Sequence, residues 1–260
     1  MAITKPAIPL RFIYYRFNHC MELFYLILFV VAFLYASVGH GGASGYLALM
    51  AIYGIAPEVM KPTALLLNLF VSLTAFLQFY RGRYFKRDIF IPLSLASIPL
   101  SFIGGMIAID GDIYKRVLGV LLLFPIIRLL FFRNTEVNEL KPSNLYISLL
   151  LGGTIGLLSG MIGMGGGIIL SPALLLLKWT DQKQTAAISA LFIFVNSIAG
   201  LAGQFTKGIH FNADMLLYVV IAFSGGLCGA YFGALKFNQN ILKNMLAVVL
   251  CLAAYKLMIV

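Results

Sequence analysis

The chain has 260 residues, 61% of them hydrophobic and only 11% charged, with a formal net charge of +10 and a mean hydropathy of +0.96. Soluble domains carry roughly a quarter charged residues, so this composition excludes one and points to an integral membrane protein with the lipid bilayer as its first partner. The apolar runs are too long and uniform for the alternation of a membrane β-barrel, and the basic residues sit in short gaps where they orient spans, which excludes nucleic acid.

In chain order, residues 1–21 carry Lys5, Arg11 and Arg16 among aromatics and suit a cytoplasmic segment lying at the headgroups. They lack the short apolar core and small-residue cleavage site of a signal peptide, so the first helix is expected to remain as the anchor. The first apolar run, Leu23 to Ser37, reaches Gly39-His40-Gly41-Gly42-Ala43 and resumes to Tyr53. Pro62 opens a second run to Tyr80, which ends at the basic cluster Arg81 to Arg87. Ile89 to Ile109 and Ile113 to Phe132 follow. Residues 133–143 are polar and form the linker between a first repeat, 22–132, and a second, 144–260.

The second half begins as the first did. Leu145 to Ile162 leads into Gly163-Met164-Gly165-Gly166-Gly167, and Ile168 to Leu177 leads out. Runs at Thr185 to Phe205, Ala213 to Leu235 and Ile241 to Val260 complete it. Gln78, Gly82 and Asp88 recur as Gln204, Gly208 and Asp214, each 126 residues later. The fold class expected is therefore all-α, with about eight transmembrane helices in two repeated halves, the first segment of each broken at its glycine motif. Counting each broken segment as one span puts twelve of the 19 Lys and Arg on the side of both termini, which would make the termini cytoplasmic. Residues 145–177 exceed one crossing at 1.5 Å per residue, which leaves a re-entrant second arm as the alternative. An even number of crossings per half makes the repeats parallel and an odd number inverts them.

A glycine break within lipid is stable only where protein or a cavity meets its backbone groups. Where the chain restarts after Gly42 or Gly167, the first N–H groups are unpaired and carry the positive end of the helix dipole, which is an anion site. The alternative is that the glycines only allow close helix packing. His40 is the ionisable group placed within the hydrocarbon, where it could carry a coupling proton or satisfy a carbonyl; the second motif has Met164 there. Asn68, Gln78, Asn196 and Gln204 supply amides, and Ser44, Thr63, Ser159 and Ser189 hydroxyls, that can donate to an oxyanion or join helices. Gln78 and Gln204 sit near span ends, where they would guard an entrance. Cys20, Cys228 and Cys251 have neither metal-ligand spacing nor an evident pairing and read as packing residues. No nucleophile–base pair or metal set occurs in the spans, so an enzyme is not expected.

At Ser159-Gly-Met-Ile-Gly-Met-Gly-Gly-Gly-Ile-Ile-Leu-Ser-Pro172, and in divergent form at Gly39-His-Gly-Gly-Ala-Ser-Gly45, the chain resembles the sulfite exporter TauE/SafE family of membrane permeases. In the first copy Ala43 and Ala48 stand where the second has Gly167 and Pro172. The resemblance implies secondary transport of sulfur-containing anions such as sulfite, thiosulfate or sulfoacetate, without a cofactor, across a bacterial inner membrane. The reading that follows is a carrier whose small anionic substrate binds between the halves near Gly39, His40, Gly41, Gly42, Ala43 and Ser44 and near Gly163, Met164, Gly165, Gly166 and Gly167. An anion channel and a non-transporting assembly subunit are the rivals. A homo-oligomer, the direction of transport and the coupling ion stay open.

Overall fold

The computed structural model describes residues 10–37, 42–131, 140–208 and 213–233, with Cys251 and Tyr255. Among them the secondary structure is entirely helical: α1 (Leu10–Ser37), α2 (Ala43–Ile52), α3 (Pro57–Arg81), α4 (Arg87–Met106), α5 (Gly111–Phe131), α6 (Leu145–Ile162), α7 (Gly167–Leu176), α8 (Gln182–Phe205) and α9 (Ala213–Gly233). Helix starts follow local chemistry. Asn144 accepts from the N–H groups of Tyr146 and Ile147, Asp181 and Gln184 form a reciprocal capping box, and Pro57 occupies the first turn of α3.

Polarity is distributed opposite to that of a soluble bundle. Leu95, Leu150 and Val220 are 69%, 68% and 64% exposed, whereas Asn68, Asn196 and Ser197 are fully buried. An apolar outside is stable only in lipid. Among the described residues α3, α4, α6 and α8 are long and apolar enough to cross a membrane, while α2 and α7 are short apolar helices. The expected total of eight spans and the repeated halves are not established by this count, and residues 133–139 of the expected linker 133–143 lie outside the described residues.

The broken segments do not cross as single spans, which is a correction to the span count. The Lys141 N–H donates to the Lys178 carbonyl at 2.8 Å, so the chain enters through α6, turns at the glycines and returns through α7 to the end where it began. The same happens in α1 and α2: the Tyr35 and Ser44 hydroxyls are bonded near the turn, and Phe24 and Tyr53 stack edge to face, 5.0 Å between centroids, at the open end. The two hairpins open at opposite ends. Lys183 reaches the Tyr84 hydroxyl at 3.1 Å beside the Arg81–Arg87 cluster, which fixes one end. Tyr218, near the start of α9, meets Phe24 at 5.0 Å at the other.

Consequently Lys178 and Lys183 share an end with Arg81, Arg83, Lys86, Arg87 and Lys141, and Lys207 lies at the opposite end with Lys61, because α3 and α8 are antiparallel. The division of basic residues based on eight alternating spans is therefore wrong, and it no longer assigns both termini to one compartment.

Close backbone approach holds the helices together. On α6, side chains at Gly152, Gly156 and Gly160 would collide with the carbonyls of Leu93, Ser97 and Ser101 on α4. On α9, Gly225 and Gly229 abut the carbonyls of Phe29 and Phe33 on α1 in the same way. Glycine as packing residue is thus the right reading for these stripes. Gly163, Gly165 and Gly166 are also closely packed, but their left-handed backbones in addition form a turn.

Candidate functional site

The break has a definite conformation. Gly163 ends α6 in the left-handed region at φ 86°, with its N–H donating to the Ser159 carbonyl at 2.8 Å. Gly165 and Gly166 are also left-handed, at φ 71° and 76°. Side chains disfavour that region by about 1–2 kcal/mol per residue, so the run is glycine because the turn between α6 and α7 requires it. Gly166 caps α7, and its carbonyl accepts from Ile169 and Leu170. The N–H groups of Gly166, Gly167 and Ile168 donate to no backbone carbonyl among the described residues, as at any helix start.

Polar side chains without partners converge on this turn. A methyl group on Gly165 would lie 2.7 Å from Asn68 Nδ2 on α3, 2.8 Å from Ile193 Cγ2 and 3.3 Å from Ser197 Oγ on α8. One on Gly166 would lie 3.0 Å from Phe192 Cε1 and 3.4 Å from Ser159 Cβ. Both polar atoms of the Asn68 amide, Ser159 Oγ and Ser197 Oγ are buried and make no hydrogen bond to the protein. An unpaired buried polar group costs about 1–3 kcal/mol. These unpaired donors and acceptors gather, uncharged, round the N-terminus of α7.

Of the residues expected in the site, Asn68, Gly163, Met164, Gly165, Gly166 and Gly167 are brought together, with Met164 buried. Asn196 lies one residue from Ser197, but its Nδ2 donates to the Phe192 carbonyl at 2.8 Å, leaving only its oxygen unpaired. Gln204 is buried two turns farther along α8, beside Gly105, with Nε2 unpaired. Gln78 is exposed at the end of α3 and is not part of the cluster. Gly39, His40 and Gly41 lie outside the described residues. Gly42 precedes α2 at φ −78°, an ordinary conformation, and is closed over by the Tyr46 ring. Ala43 and Ser44 form the first turn of α2, with Ser44 bonded to Tyr35.

The sequence reading missed Ser197, Lys61 and Tyr114. Ser197 adjoins Asn196 on the polar stripe of α8 that also carries Thr185, Ser189 and Gln204, and that stripe was the available signal. Lys61 lies in the second turn of α3, with its backbone against Gly163. Its ammonium rests 4.7 Å from the centre of the Tyr114 ring. The Tyr114 hydroxyl donates to the Ile162 carbonyl at 2.9 Å, at the last residue of α6.

The family model described as sulfite exporter TauE/SafE matches residues 24–257. The chain is similar to "Probable membrane transporter protein y4hK" of Sinorhizobium fredii, 34% identical over 235 residues, covering 88% of this chain and 95% of the relative. It is 27% identical over 232 residues to "Probable membrane transporter protein YdhB" of Bacillus subtilis, covering 86% and 93%. No solved structure matches the chain.

Proposed function

Because this chain belongs to the sulfite exporter TauE/SafE family of membrane proteins, we propose that it is a secondary transporter of small sulfur-containing oxyanions, sulfite, thiosulfate or an organosulfonate such as sulfoacetate. The observation that carries the reading is the unpaired, buried Asn68 amide beside Gly165 at the start of α7. Backbone and amide N–H groups complement an oxyanion and, being uncharged, release it again.

Alternating access would follow from the two hairpins, which open at opposite ends and flank the antiparallel pair α3 and α8. That arrangement favours an inverted relation of the two halves and a site near the middle of the membrane, reached from either side as one hairpin moves. In a bacterial inner membrane the potential drives an anion outward by about 2.3 kcal/mol per charge per 100 mV. Export then needs no coupling ion, and uptake would use a proton, for which His40 is the candidate.

Uptake of labelled sulfite and sulfoacetate into proteoliposomes, with and without a pH gradient and with a His40→Ala variant, tests this. Saturable uptake that follows the gradient in the native chain alone supports a proton-coupled carrier. Saturable flux with counterflow but no gradient dependence supports a uniporter, flux without counterflow a channel. No flux of either anion sinks the substrate class.

A further inference from the structure

The unpaired polar atoms round Gly165 are uncharged, and uncharged groups also bind water or a neutral sulfoxide-like oxygen. A full positive charge nearby sharpens discrimination in favour of an anion. Lys61 supplies one. It shares a face of α3 with Asn68, seven residues on, or about 10 Å along the axis, and its backbone lies against Gly163 at the mouth of the break.

Its present contacts leave it incompletely neutralised. Lys61 is half-buried; Glu58, one turn earlier on α3, acts on its charge without an ion-pair contact, and Lys207 at the same end opposes that effect. Its ammonium is held over the face of Tyr114, and a cation–π contact is weaker than a charge-assisted hydrogen bond to an oxyanion. Tyr114 is itself fixed by the Ile162 carbonyl, so the ammonium rests beside the end of α6.

Resting on the anion site proposed above, we propose that Lys61 is the specificity-determining cation of that site, leaving the Tyr114 ring to contact the substrate's negative oxygen. The neutral donors fix the anion's position and Lys61 selects its charge. The competing account is that Lys61 merely packs against the end of α6, where a cation suits the helix dipole.

The test uses the purified full chain, titrated calorimetrically with sulfite and with thiosulfate, and the same protein in proteoliposomes. Lys61→Gln is expected to weaken binding of both anions at least tenfold, about 1.4 kcal/mol, and to raise KM with the maximal rate within about twofold. Lys61→Arg, which keeps the charge, is expected to stay within about threefold of the native chain. Lys61→Met retains the packed stem and answers the question if the glutamine variant does not fold. Native affinity in the glutamine or methionine variant, or arginine as poor as glutamine, overturns the proposal. If the native chain binds neither anion, the anion site itself is wrong, an outcome distinct from a failure of Lys61 alone.

Discussion

Gly165 and Asn68 touch across the two halves of the sequence: any β-carbon at Gly165 would come within 2.7 Å of the asparagine Nδ2. Gly165→Ala should therefore abolish transport in proteoliposomes, combining about 1–2 kcal/mol of left-handed backbone strain with displacement of the amide. Gly54→Ala is the control. Gly54 has φ 73° with open space around it, so it carries the strain without the collision and should keep its transport rate.

Asn68 and Asn196 are both fully buried, but they answer to different forces. Asn68→Ala removes an amide with no protein partner and should leave thermal stability unchanged or raised. It should cost anion affinity about 10- to 100-fold, the weight of a hydrogen bond to a charged group. Asn196→Ala removes the bond to the Phe192 carbonyl and should lower stability by about 1 kcal/mol. Denaturation in detergent and anion titration, run on both variants, separate the two effects.

The hairpin topology makes a labelling prediction. With the native cysteines replaced by serine, single cysteines at Lys178 and Arg83 should react with an impermeant thiol reagent from the same side of the membrane. One at Lys207 should react from the other. If position 178 labels with 207, then α6 and α7 cross as one span and the hairpin is wrong.

Gly156 faces the Ser97 carbonyl across the interface of α6 and α4. Gly156→Leu should block this approach and reduce the yield of folded protein severely, because there is no flexible side chain opposite to move aside. Gln78→Ala, at an exposed end of α3, should change neither yield nor transport.

Some of the architecture was readable in the chain because its causes are local. Gly163, Gly165 and Gly166 interrupt an apolar run, and only a backbone that leaves the helix explains three glycines there. Asn68 could be named as a polar residue in an apolar helix, but so could Gln78. Their sequence surroundings are alike, and one faces the break while the other faces outward. Lys61 was hidden for the opposite reason: a basic residue beside a proline reads as a loop, and nothing local reveals that α5 brings Tyr114 beneath its ammonium.

The sequence by itself determined that the protein is helical and membrane-embedded, where its helices break, and which family it resembles, since these follow from the hydropathy of contiguous residues and the backbone freedom of glycine. Only the tertiary structure decided that the broken segments return instead of crossing. Only it showed that α3 and α8 run antiparallel, and that the unpaired polar atoms of Asn68, Ser159 and Ser197 gather round one turn. Those facts depend on which helix faces which, and contacts such as Lys141 with Lys178 join residues whose own sequence neighbourhoods carry no trace of their partner.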